Sequence, residues 1–73
     1  MFDAIVSYKD GATAVLGTFD TRGAADYCAS ATACAIAYAV GGESFIARGV
    51  SEWEHIVSDR FNNVVAYTTI AAH

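Results

Sequence analysis

Charge is scarce in this sequence. Asp, Glu, Lys and Arg make up 16% of the 73 residues, against roughly a quarter in an ordinary globular domain. Basic residues are the scarcer sign: Lys9, Arg22, Arg48 and Arg60 stand singly against eight acids. Affinity for phosphate backbones comes from clustered Lys and Arg that displace counterions, so a nucleic-acid partner is disfavoured. Long apolar runs are missing too. The longest uncharged stretch, residues 27–42, ends in Gly41-Gly42 and falls short of the roughly 18 residues that begin to suggest a membrane span. Met1-Phe2-Asp3 carries an acid where a secretory leader carries Lys or Arg, with no apolar run behind it, and the reading is a cytoplasmic protein.

Cysteine is limited to Cys28 and Cys34. Six residues apart in one helix they are separated by about 9 Å of rise and point in different directions, beyond disulfide reach. Neither has the close Cys or His spacing of a zinc site, so both read as small buried hydrophobes, and no metal or cofactor is expected. Gly41-Gly42-Glu43-Ser44 leaves a helix C-terminus, whereas a phosphate cradle leads into a helix N-terminus. The aromatic residues lack the interleaved Lys and Arg of a base-stacking surface. No catalytic or ligand motif stands out.

What the chain has in quantity is apolar residues, 55% of the total, too many for a disordered chain. At this length residues 1–73 build one domain that buries only about 60% of its unfolded surface. Residues 2–8 and 12–19 are rich in β-branched and aromatic types and flank Asp10-Gly11, the preferred pair for a tight hairpin turn. A two-residue turn places Val6 opposite Val15 on the core face, with Ile5 and Leu16 together on the other. A helix over residues 21–40 follows, with Asp20 or Thr21 as its cap and Gly41-Gly42 as its stop. Ala25, Cys28, Ala29, Thr32, Ile36, Ala39 and Val40 share a stripe that suits packing on the hairpin. Residues 44–50 have strand character, and residues 53–59 and 63–70 form a second hairpin around Arg60-Phe61-Asn62-Asn63. Ser51-Glu52-Trp53-Glu54 also matches a capping box, which leaves a helix from Ser51 as the competing reading. The order is strand, strand, helix, strand, strand: an α+β domain with a small antiparallel sheet on one long Ala-rich helix.

The run from Val15 to Ala25 (VLGTFDTRGAA) resembles the opening of peptidoglycan-binding SPOR repeats, where a strand with a Gly-x-Phe ending enters a capped helix. The resemblance covers about a dozen residues. Here a strand precedes that opening and no second copy of the unit follows, so membership is not assigned.

Two surfaces stand out. Ala25, Ala29, Ala33, Ala37 and Gly41 recur every four residues, and no Glu or Lys appears across residues 27–42. Small residues at that spacing form a groove that admits another backbone. Ala29, Ala33 and Ala37, with Ile5 and Leu16 on the hairpin, are therefore expected to form a self-association interface, most simply a homodimer. The second surface is the acidic strip of Glu52, Glu54 and Asp59 beside Trp53, suited to steering a basic protein partner while the ring supplies contact area. His55 lies near these acids and, as a strand residue, reads as half-buried; His73, the last residue, is expected to fray. The functional expectation is a small acidic non-enzymatic protein-binding module of regulatory, adaptor or inhibitor type, a kind that viruses and mobile elements also encode. An oligomeric enzyme using His55 at a subunit interface is the alternative, and a nucleic-acid binder a remoter one.

Overall fold

The computed structural model describes residues 1–46 and 54–73. Strands β1 (Phe2–Tyr8) and β2 (Thr13–Phe19) lead into helix α1 (Arg22–Val40), followed by β3 (Glu43–Ile46), β4 (His55–Ser58) and β5 (Val64–Ala72). All pairs are antiparallel, in the sheet order β2-β1-β5-β4-β3. The architecture is α+β, with α1 against one face of a five-stranded sheet. The chain leaves one sheet edge at β2 and re-enters at the opposite edge through α1. The two hairpin-forming halves then meet in the middle, where β1 pairs with β5 over seven residue pairs from Phe2↔Ala72 to Tyr8↔Ala66.

The two hairpin turns have the same construction. In the first, the Tyr8 N–H donates to Ala12 O at 2.8 Å and the Gly11 N–H to Tyr8 O at 2.9 Å. In the second, the Asp59 N–H donates to Asn63 O at 2.9 Å and the Asn62 N–H to Asp59 O at 3.1 Å. Each loop therefore has three residues, and its last takes the left-handed conformation: Gly11 at φ 95° and Asn62 at φ 65°. A type I turn closed by a left-handed residue is a common hairpin connection, and Gly and Asn tolerate it best. Asp side chains brace both turns. Asp10 Oδ1 accepts from the Ala12 N–H, and Asp59 Oδ1 from the N–H groups of Phe61 and Asn63.

The first loop is thus one residue longer than a turn of Asp10-Gly11 alone, and the expected register is corrected near it. Ile5 faces Val15 and Val6 faces Ala14. A bulge at Leu16 then absorbs the slip, so that Ala4↔Gly17 and Phe2↔Phe19 pair as the two-residue turn requires. The consequence is an exchange of faces. Val15, expected inside opposite Val6, is 60% exposed, while Leu16, expected outside beside Ile5, packs against both core clusters. Ile5 does lie on the face away from the helix, but beside Val15.

Thr21 caps α1 by accepting from the Ala24 N–H, and Gly41 ends it at φ 71°. The Gly42 N–H reaches back to Ala37 O at 2.9 Å, closing the last turn in the usual glycine-terminated manner. Gly42 has its own constraint: a Cβ there would overlap Ser58 O and lie 2.7 Å from Asp59 Cα. Two backbones meet here at a separation only glycine allows.

Ala4, Val6, Val57 and Ala66 from the sheet and Ala25, Ala29, Ala33 and Ala37 from the helix form the core. The side chains are small, so helix and sheet approach closely. Thr68, fully buried, donates from Oγ1 to Ala29 O at 3.3 Å across the gap. Among the described residues no buried side-chain polar atom lacks a partner. The second hairpin is present, which settles residues 55–58 as strand; residues 47–50 of the expected third strand, the expected strand start at Trp53, and the part of the helical alternative at Ser51, Glu52 and Trp53 lie outside the described residues.

Candidate interaction surfaces

The alanine ridge faces inward. Ala29 and Ala33 are 0% exposed and Ala37 is close to that, so the expected interface at Ala29, Ala33 and Ala37 is overturned. The physical argument for a smooth groove holds, but the backbone it admits belongs to the chain's own sheet. Leu16, the fourth of the five expected interface residues to be relocated, is drawn into the same core by its bulge.

What remains outside is apolar on both broad sides. Register places Thr13, Ser7, Tyr67, Ile56 and Phe45 in one continuous row across all five strands, on the side away from α1, with Val15, Ile5 and Thr69 in the next row. Val15, Phe45 and Tyr67 are exposed, and Ile5 and Ile56 are half-buried. Among the described residues α1 is the only helix, and it lies on the other side. Strand spacing of about 4.8 Å and rise of about 3.3 Å give this bare face a plan area on the order of 500 Å². A patch of that size is at the upper end of what small monomers carry and is commonly functional.

On the opposite side, the outward face of α1 presents Tyr27 at 79% and Tyr38 at 91% exposure, with Ala24, Ala31, Cys34 and Ala35 between and around them. Between Asp26 and Glu43 the sequence has no charged residue at all. Six charged residues lie at the rim: Lys9 and Asp10 in one hairpin turn, Asp59 and Arg60 in the other, Asp20 and Arg22 where β2 passes into α1; Asp3, on the outer sheet face beside Ile5, is engaged by Thr18 and His73.

Of the acidic strip, Glu52 and Trp53 lie outside the described residues. Glu54 is half-buried immediately before β4. The Asp59 carboxylate is occupied by its own turn; hydrogen bonds from the Asn63 backbone first, and that of Phe61, hold its pKa below the ordinary 3.8, with the charge of Lys9 adding to the effect.

His55 has a partner that spacing did not suggest. Its Nε2 lies 2.9 Å from Asp26 Oδ1 on α1, and the histidine is 6% exposed. Neither Glu54 nor Asp59 but an acid 29 positions away supplies the contact. The pair ties α1 to β4 across the helix–sheet gap. At the far end of the sheet, His73 is tied down rather than frayed: its N–H donates to Met1 O and its Nε2 lies 3.0 Å from Asp3 Oδ1. Thr18 Oγ1 donates to the same Asp3 oxygen at 2.6 Å. The Thr18 hydrogen bond, then that of His73, lowers the Asp3 pKa from the ordinary 3.8.

Cys28 is half-buried against the core, as expected of a small hydrophobe, whereas Cys34 is exposed with its thiol 3.6 Å from Ser44 Oγ. Among the described residues no three His, Cys, Asp or Glu side chains are grouped to hold a metal ion, and no helix is long and apolar enough to cross a membrane. No protein-family model, curated protein or solved structure matches the chain.

Proposed function

We propose that this protein is a small acidic, non-enzymatic protein-binding module, of regulatory, adaptor or inhibitor type, that self-associates by stacking the bare outer face of its sheet on that of a second copy. The observation that carries the reading is the five-strand row of Thr13, Ser7, Tyr67, Ile56 and Phe45 with Val15 and Ile5 beside it. Two such faces stacked at about 10 Å make a sheet sandwich with a helix on each outer side. About 500 Å² from each copy brings the buried total to roughly 1,000 Å², where specific interfaces begin. A non-catalytic role is supported by His55, whose ring is buried and held by Asp26.

Multi-angle light scattering from micromolar to millimolar concentration tests the reading. A mass above 7.7 kDa, lowered in the Val15→Glu/Tyr67→Glu variant while circular dichroism stays unchanged, is the expected result. A 7.7 kDa species at every concentration overturns self-association.

A further inference from the structure

We infer that the outward face of α1 is a second self-association surface, on which the helix of another copy docks antiparallel, so that the protein is bifacial. At 100° per residue, Tyr27, Ala31, Cys34 and Tyr38 fall on one line, diametrically opposite the buried Ala25, Ala29 and Ala33. The line reads large, small, small, large. Two crossed helices are closest at their midpoint and diverge toward their ends; Ala31 and Cys34 fit the crossing, and the two tyrosines fill the widening gaps.

Three further observations select a second copy as the occupant. The pattern is nearly symmetric about its centre, so an antiparallel partner presents Tyr38 near Tyr27 and small residues near small ones, as an isologous contact requires. Helix α1 has no acid in its first turn and no base in its last, and an antiparallel neighbour brings the opposite partial charge to each end. The area is also sufficient. At 79% and 91% exposure, two rings of roughly 200 Å² each expose about 350 Å². With the intervening Ala and Cys the contact approaches 500 Å² per copy, the lower bound for a specific, concentration-dependent interface.

The helix pairing stands without the sheet stacking. Taken together with that reading, on which this further step rests, the two faces lie on opposite sides of a thin molecule and generate an open stack in place of a closed dimer.

The test uses light scattering on four proteins: wild type, the sheet variant Val15→Glu/Tyr67→Glu, the helix variant Tyr27→Glu/Tyr38→Glu, and the two combined. Wild type is expected to grow beyond a dimer with concentration, each single-face variant to stop at a dimer, and the combined variant to remain monomeric. A helix variant indistinguishable in mass from wild type overturns this inference. A sheet variant indistinguishable from wild type, with a helix variant that falls to monomer, overturns the sheet reading and leaves this one standing. Orientation is read by mild oxidation in a Cys34→Ser background. Ala31→Cys should give a disulfide-linked dimer and Gly23→Cys should not, since a side chain at position 23 has open space but lies roughly 28 Å along the axis from its antiparallel mate. Efficient linkage at position 23 overturns the antiparallel arrangement.

Discussion

Ala33 is the position at which an inward and an outward ridge make opposite predictions. It is 0% exposed and packs with Val6, Ala37, Val57 and Ala66. Ala33→Glu forces extra side-chain atoms into a close-packed helix–sheet gap, which costs about 1–3 kcal/mol by overpacking. It also leaves a carboxylate without a partner among apolar groups, at a further cost of several kcal/mol. The total, about 5 kcal/mol or more, is comparable with the whole stability of a chain this size, roughly 4–11 kcal/mol at typical values per residue. The variant is expected to be largely unfolded at 25 °C. Ala33→Leu provides the graded version, with overpacking alone and a loss of about 1–3 kcal/mol. Ala31→Glu, on the opposite side of the same helix, should fall within about 0.5 kcal/mol of wild type. Urea titrations followed by circular dichroism, at a concentration low enough to hold association constant, read all three. If Ala33→Glu folds with an unfolding midpoint near that of wild type, the ridge faces outward and the helix packing described here is wrong.

Asp26→Ala strands the buried His55 ring without its partner and should cost about 1–3 kcal/mol in the same titration, with an altered imidazole resonance in the NMR spectrum; an unchanged midpoint would show that the contact contributes nothing. Leu16→Ala should destabilise by about 2 kcal/mol and Val15→Ala by under about 0.5 kcal/mol, and the reverse ranking would restore the two-residue turn. Asp3 and Asp59 both titrate below the ordinary 3.8 in the folded state, so the stability they contribute is complete above about pH 4 and lost as pH falls through the lowered values. The urea midpoint should drop on that acid limb, and less steeply in Asp3→Asn; equal slopes would remove Asp3 from the account.

Much of this protein can be read from local sequence because the signals are local. The Thr21 cap, the Gly41-Gly42 stop and the β-branched and aromatic runs determine where α1 and the strands begin and end. They do so through backbone conformation and hydrogen bonds within a few residues of each other. The scarcity of charge across residues 27–42 likewise announces an apolar helix on every side. Tertiary structure decided which side faces what. An alanine ridge suits contact with another chain and contact with the chain's own sheet equally well, because small side chains permit close approach whatever the backbone belongs to. A loop of three residues in place of two, corrected by a bulge at Leu16, exchanged Val15 and Leu16 between the faces, since side chains alternate with a period of two. The join between β1 and β5 and the bond from His55 to Asp26 depend on chain segments far apart in sequence. Their pairing follows from burying the sheet's central strands beneath one helix, a condition on the whole chain that no local spacing records.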